Sequence, residues 1–137
     1  RKRLGAIVFG DPEKLAQLNA VAQTATVDRT RALVEECRRQ GRALAAIDAI
    51  ALVESGLDRL CSATVAVTAP PEVRVRRIMA REGISEDYAR KRVEAQQGDG
   101  FFRTHCDYLL ENRADDTPEA FQARAKQLFE QILSNRN

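Results

Sequence analysis

Short, uninterrupted apolar runs constrain the fold of this chain more than any other feature of its sequence. The first run occupies residues 43–48 and ends at Asp48, and the second occupies residues 63–68 and ends before two consecutive prolines. Runs of this length without polar alternation are typical of strands buried on both faces, as parallel sheets require. The segment Asp107-Tyr108-Leu109-Leu110-Glu111 is predicted to be a third short strand, and it ends before Asn112. The sequence therefore predicts three buried strands.

Helical segments are expected between and around these strands. Helix caps and apolar residues spaced three to four apart predict helices over 11–22, 28–40, 71–83, 85–97 and from 117 onwards. Asp11 and Asp28 are the expected N-caps of the first two helices, and Gly41 ends the second. Gly98–Gly100 is predicted to be a loop. The alternation of strands and helices predicts an α/β fold with a parallel sheet.

The composition excludes several classes of protein. The chain has 137 residues and a net charge of +2, which is too small to indicate a nucleic-acid partner. The cysteines, Cys37, Cys61 and Cys106, are far apart and lack metal-binding spacing, so we expect no disulfide framework and no zinc site. No apolar run reaches the length of a membrane span. We expect a reducing, cytoplasmic location.

Polar residues follow each predicted strand at the edge where ligands gather in open parallel sheets. They are Asp48, Thr68 and Asn112. An acid in such a place can bind Mg²⁺ through water or hold a substrate hydroxyl. Asp48 can equally well be the N-cap of a short turn at 49–54, and the sequence leaves both interpretations open.

A basic segment at 74–92 holds seven basic and three acidic residues. Arg77 and Arg81 are four residues apart and share a helix face, while Arg92 belongs to the following helix. Arginines on two helices joined by a short turn can bind a polyphosphate and neutralise charge in phosphoryl transfer. A solvated basic face is the commoner explanation of such a cluster. The sequence contains no phosphate-binding GxxxxGK[ST] loop.

Several strings of the chain resemble the dephospho-CoA kinase family. They are Arg1-Lys2-Arg3-Leu4 with Val8-Phe9 and Asp11-Pro12, then Asp48 with Glu54-Ser55-Gly56-Leu57, then Pro70-Pro71 with Arg77-Ile78-Met79-Ala80-Arg81-Glu82-Gly83-Ile84-Ser85, and finally Asp107-Tyr108 with Asn112. The resemblance follows the family order through nearly the whole chain. The departures are the absence of the family P-loop, which we expect to precede these residues, and Gln23-Thr24, which replace a His-Pro pair.

The resemblance implies a fold and a domain organisation. The fold would be a P-loop kinase-like parallel sheet flanked by helices. Residues 1–41 would form a helical substrate lobe, 42–73 the core strands, 74–104 an arginine-bearing lid, and 105–137 a core strand and the C-terminal helix. Few large apolar residues anchor the lid, so we expect it to be mobile. With a P-loop strand in the middle of the sheet, the 63–68 strand would pair in parallel with 107–111 and not with 43–48.

The resemblance also implies a reaction. ATP, with Mg²⁺, would phosphorylate the 3′-hydroxyl of dephospho-CoA to give CoA. Arg77 and Arg81 would be catalytic lid arginines near the ATP phosphates, and Arg92 a further ATP-binding residue. Asn112 would lie near the adenine, and Asp48 near the substrate.

Two alternatives remain open at this point. One is another P-loop kinase of small molecules, and the other is a non-catalytic module that binds a nucleotide or CoA.

Overall fold

The computed structural model describes residues 11–135 and divides the chain into two compact units. The first unit ends at Cys61 and the second begins at Ser62. The first contains helix α1 (Pro12–Arg39) and a short 3₁₀ helix (Leu57–Leu60). The second contains, in chain order, β1 (Val65–Thr68), α2 (Pro71–Glu82), α3 (Glu86–Glu94), α4 (Asp99–His105), β2 (Tyr108–Glu111) and α5 (Pro118–Ser134).

Helix α1 is one continuous helix of 28 residues, and the prediction of two helices was wrong. Asp11 caps its N-terminus as expected, accepting hydrogen bonds from the backbone N–H groups of residues 13 and 14, and Gly41 follows its end with φ of 67°. Asp28 lies inside the helix and caps nothing. The reason is that Gln23-Thr24 contain no proline, and the Thr24 hydroxyl donates to the Ala20 carbonyl 3.0 Å away without interrupting the helix.

The predicted strand at 43–48 is also wrong. Residues 44–49 have no regular secondary structure, and the sheet formed by the described residues contains only β1 and β2. The run is rich in alanine, and Ile47 is its one β-branched residue, so its intrinsic preference for an extended strand is weak. A strand also needs a neighbour to bond with, and no described segment pairs with 43–48.

The parallel pairing of the other two strands was predicted correctly. Val65 is in register with Tyr108, and Thr68 with Glu111. Before the ladder, the backbone N–H and the hydroxyl of Thr64 both donate to the Asp107 carboxylate, at 2.8 and 2.7 Å. These hydrogen bonds hold the pKa of Asp107 below its usual value. A buried threonine and a carboxylate thus join the starts of the two strands.

Helices α2 and α3 form a hairpin with a small core of its own, called here the helical hairpin. Gly83 ends α2 with φ of 66°, and the Ser85 hydroxyl caps α3. Val75, Ala89 and Val93 are buried against one another, with partly buried Ile78, Met79 and Ile84 around them. Small residues at helical spacing let the two helices approach closely, and the expected mobility of residues 74–104 stays a prediction.

The remaining elements connect the hairpin to the C-terminus. Helix α3 ends at Glu94, three residues earlier than predicted, and the predicted loop at 98–100 is instead the start of α4. One turn of α4 places the Phe101 ring against His105, with ring centroids 4.2 Å apart. Thr117 caps α5 as expected. None of the described helices is long and apolar enough to cross a membrane.

Candidate functional site

The carboxyl edge of the parallel sheet brings together two of the predicted site residues, Arg77 and Asn112. The backbone N–H of Asn112 donates to the Thr68 carbonyl at 2.7 Å, continuing the ladder one residue beyond the strands. The Arg77 guanidinium donates to the Asn112 side-chain oxygen at 2.9 Å and to the Arg113 carbonyl at 3.4 Å. We call Thr68, Arg77, Asn112 and Arg113 the sheet-edge cluster.

The partners of Arg77 are uncharged. An amide oxygen and a carbonyl orient its guanidinium, and no carboxylate within the described residues forms an ion pair with it. Its side chain is exposed. Such an arginine has spare N–H donors, which suits it to bind an anionic group at the edge of the sheet.

Arg81 and Arg92 are held differently, because both contact the carboxylate of Glu82. The Arg81 guanidinium lies 2.6 Å from one carboxylate oxygen, and the Arg92 guanidinium contacts the other. Hydrogen bonds from Arg81, then from Arg92, hold the pKa of Glu82 below its usual value. Glu82 therefore holds two arginines of the basic segment, one from α2 and one from α3, through its two carboxylate oxygens.

Arg90, another member of the basic segment, is committed to structure. Its guanidinium donates to both oxygens of Glu72, at 2.8 and 3.2 Å, and to Glu86 at 2.9 Å. These bonds connect α3 to the first turn of α2 and lower the pKa of Glu72. Within the basic segment, Arg90 thus belongs to an ordinary ion-paired helix surface, whereas Arg77 does not.

Asp48 lies in the first unit, in the irregular segment, and is exposed. Among the hydrogen bonds of the described residues, none involves its carboxylate, so the turn at 50–56 forms without it as a cap. The strings Arg1-Lys2-Arg3-Leu4 and Val8-Phe9 lie outside the described residues.

A metal site is not formed by the part of the chain that the structure describes. No three histidine, cysteine or acidic side chains come close enough there to hold an ion. Mg²⁺ prefers several oxygen ligands and is commonly held by one or two carboxylates together with substrate phosphates. In the second unit, the carboxylates of Glu82 and Asp116 are bound to arginines, so these two side chains do not fit Mg²⁺ by themselves.

Two residues that sequence reasoning missed, Asp116 and Arg124, fix the loop after β2. The Arg124 guanidinium donates to both oxygens of Asp116, at 2.6 and 2.5 Å, and to the Glu111 carbonyl at 2.8 Å. Asp116 also accepts from the backbone N–H of Arg113 at 2.6 Å. The hydrogen bonds from Arg124, then that from Arg113, lower the pKa of Asp116 to about 2. The sequence offers one indication of this contact, which is that an acidic residue directly precedes the helix cap Thr117.

The family model and the curated relatives that match this chain carry the same family description. A family model described as dephospho-CoA kinase matches residues 1–117. A dephospho-CoA kinase from Corynebacterium glutamicum is 34% identical over 137 residues, which is 100% of this chain and 68% of that protein. One from Thermus thermophilus is 35% identical over 125 residues, covering 90% of this chain and 60% of that protein. The chain spans about two thirds of the length of these curated relatives.

Solved structures agree with this fold. A crystal structure from Thermus thermophilus is 32% identical, with a TM-score of 0.64 over 96% of this chain and 66% of that chain. A dephospho-CoA kinase structure from Campylobacter jejuni has a TM-score of 0.68 and covers 100% of this chain and 67% of that chain. At 20% identity, the second comparison concerns the fold alone.

Proposed function

The chain belongs to the dephospho-CoA kinase family, whose P-loop kinase fold it shares, and on that premise we propose that it takes part in ATP-dependent phosphorylation of dephospho-CoA. The acceptor is the ribose 3′-hydroxyl, and the product is CoA. The structural observation that supports this most directly is Arg77, held at the carboxyl edge of a parallel sheet by Asn112 and free of carboxylate partners among the described residues.

The proposed reaction moves one phosphoryl group. The 3′-hydroxyl oxygen bonds to the γ-phosphorus of ATP, the bond from that phosphorus to the bridging oxygen breaks, and ADP leaves with the electron pair. The hydroxyl proton is released. Negative charge is spread over the phosphoryl oxygens in the transition state, and arginines that meet this charge are worth much of the rate. We assign that work to Arg77 and Arg81, with Arg92 as a further ATP-binding residue.

The remaining predicted residues bind rather than react. Asn112 is placed beside Arg77 at the sheet edge, where we propose that it lies near the adenine of ATP. Asp48 is proposed to contact the substrate from the first unit. We propose that Mg²⁺ enters bound to the phosphates of ATP, as is common in sites that hold this ion through substrate phosphates. We further propose that the partners are these small molecules, without nucleic acid or membrane, in the cytoplasm.

The test is a phosphoryl-transfer assay with the full-length protein. Purified protein is incubated with ATP, Mg²⁺ and dephospho-CoA, and CoA and ADP are quantified by chromatography and mass spectrometry. We expect equal amounts of the two products. Nucleoside monophosphates replace dephospho-CoA in a parallel assay. If the protein phosphorylates nucleoside monophosphates faster than dephospho-CoA, it is another kinase of small molecules. If it binds ATP or CoA but releases no ADP, it is a non-catalytic binding module.

A further inference from the structure

A series of hydrogen bonds links Asp116 and Arg124 to the sheet-edge cluster. Arg124 lies on α5 and holds Asp116 through both carboxylate oxygens. Asp116 holds the backbone of Arg113. The carbonyl of Arg113 and the side chain of its neighbour Asn112 in turn accept from Arg77. A continuous set of charge-assisted and backbone bonds therefore joins the C-terminal helix to a proposed catalytic arginine.

The Asp116–Arg124 pair is better placed to fix a loop than the other ion pairs of the described residues. The Asp116 side chain is only 7% exposed, whereas the acidic partner in each other described pair is 31% exposed or more. The contact is two-pronged, a geometry that restricts both groups more than a single bond does. The Arg124 guanidinium also lies over the Phe121 ring, 5.9 Å from its centroid, which further limits its position.

We propose that Asp116 and Arg124 are positioning residues for the nucleotide site, setting the places of Asn112 and Arg77 through the loop at 112–116. The expected effect on kinetics rests on the proposed function. The coupling of Asp116 and Arg124 to Asn112 and Arg77 rests on the structure alone. Neither residue touches the reacting atoms. Without Arg124, Asp116 keeps a buried charge with only the Arg113 N–H to bind it, so the loop must rearrange to solvate that charge.

The kinetic experiment uses the full-length protein with Arg124→Gln and Asp116→Asn. The KM for ATP is expected to rise roughly tenfold, as expected for losing charge-assisted hydrogen bonds that hold a binding loop. The KM for dephospho-CoA should stay within about twofold of wild type. Lys126→Gln is the matched control, because Lys126 lies on the same helix in an exposed pair with Glu130. Equal rises in both KM values, or no change relative to the control, would overturn the proposal.

A second measurement does not depend on activity. The NMR signals of the Arg77 Nε–H group and the Asn112 backbone amide are compared between wild type and the variants. Both should shift in Arg124→Gln and in Asp116→Asn and remain in place in Lys126→Gln. Unmoved signals in folded Arg124→Gln protein would refute the coupling. If that variant does not fold, Arg124→Lys, which keeps the charge and loses the two-pronged contact, is measured in the same way. A wild type without kinase activity would instead refute the proposed function.

Discussion

The sheet-edge cluster and the helical hairpin both carry arginines proposed to bind phosphate, yet they hold them in opposite ways. Arg77 and Arg81 lie one turn apart on α2. Arg77 is oriented by the uncharged oxygens of Asn112 and Arg113. Arg81 is paired with the carboxylate of Glu82, which also contacts Arg92. Arg77 therefore has no carboxylate partner among the described residues, whereas Arg81 and Arg92 share the single negative charge of Glu82.

This difference teaches that helical spacing alone does not establish which arginines can bind an anion. The i, i+4 spacing places Arg77 and Arg81 on one face of α2, but Arg77 is held by residues beyond β2, whereas Arg81 is held by its neighbour Glu82 on the same helix. A neutral partner does not compete with an anion for an arginine, whereas a carboxylate does. On the proposed function, phosphate would bind Arg77 without a competing carboxylate and would compete with Glu82 for Arg81 and Arg92.

The largest effect is expected from removing either arginine. In the full-length protein, Arg77→Ala and Arg81→Ala should each lower turnover of dephospho-CoA by roughly 10³, the scale on which an arginine stabilises phosphoryl-transfer charge. Arg76→Ala on the same helix is the matched control, and its turnover should be near wild type. Steady-state kinetics with CoA formation as the readout measures this. A loss of less than about threefold for Arg81→Ala would remove Arg81 from the catalytic residues.

The next effect concerns the small core of the hairpin. Val75→Ala removes methyl groups that are buried against Ala89 and Val93, and should lower the free energy of unfolding by about 2 kcal/mol. Val67→Ala is the control, because Val67 in β1 is 63% exposed, and it should cost less than about 0.5 kcal/mol. Chemical denaturation monitored by circular dichroism gives both values. Equal losses would mean that the hairpin has no core of its own.

A smaller effect should appear in phosphate affinity when Glu82 is neutralised. Glu82→Gln frees Arg81 and Arg92 from their carboxylate, so inorganic triphosphate should bind roughly tenfold more tightly, as expected for an anion that no longer has a competitor. Glu94→Gln, on α3, changes the net charge equally without touching those arginines. Isothermal titration calorimetry at constant ionic strength measures the dissociation constants. Equal gains in the two variants would show a general charge effect and not competition.

The smallest effect is expected in stability. Exposed ion pairs contribute little because solvent screens them, so Glu82→Gln should change the free energy of unfolding only slightly at pH 7. Because the folded state lowers the pKa of Glu82, its contribution is present above the unfolded pKa and is lost as pH falls through the lowered value. Denaturation measured over a series of pH values from 7 downwards should therefore show a small difference at neutral pH that shrinks as the pH falls through the lowered pKa of Glu82. A difference that persists in acid would have another cause.

Local chemistry settled much of the fold. Asp11, Ser85 and Thr117 cap helices where the sequence predicted, and Gly41 and Gly83 follow helix ends with positive φ. These features depend on a few adjacent residues and on the short reach of a side chain to its own backbone. The prediction that Asp28 starts a helix failed for a related reason. A residue of this type caps a helix only where the residues before it are not helical, and here the residues before Asp28 already belong to α1.

Non-local partners decided the rest. The run at 43–48 has the composition of a weak strand, and no described segment bonds to it. Arg77 meets Asn112 across 35 residues, and Arg124 meets Asp116 on a loop that no periodicity marks. The sequence by itself determined the helix caps and stops, the strand segments at 63–68 and 107–111, and which arginines share a helix face. Only the tertiary structure decided that Arg77 meets the amide oxygen of Asn112 and that Arg92 meets Glu82, because folding brings residues that are distant in sequence within hydrogen-bonding reach.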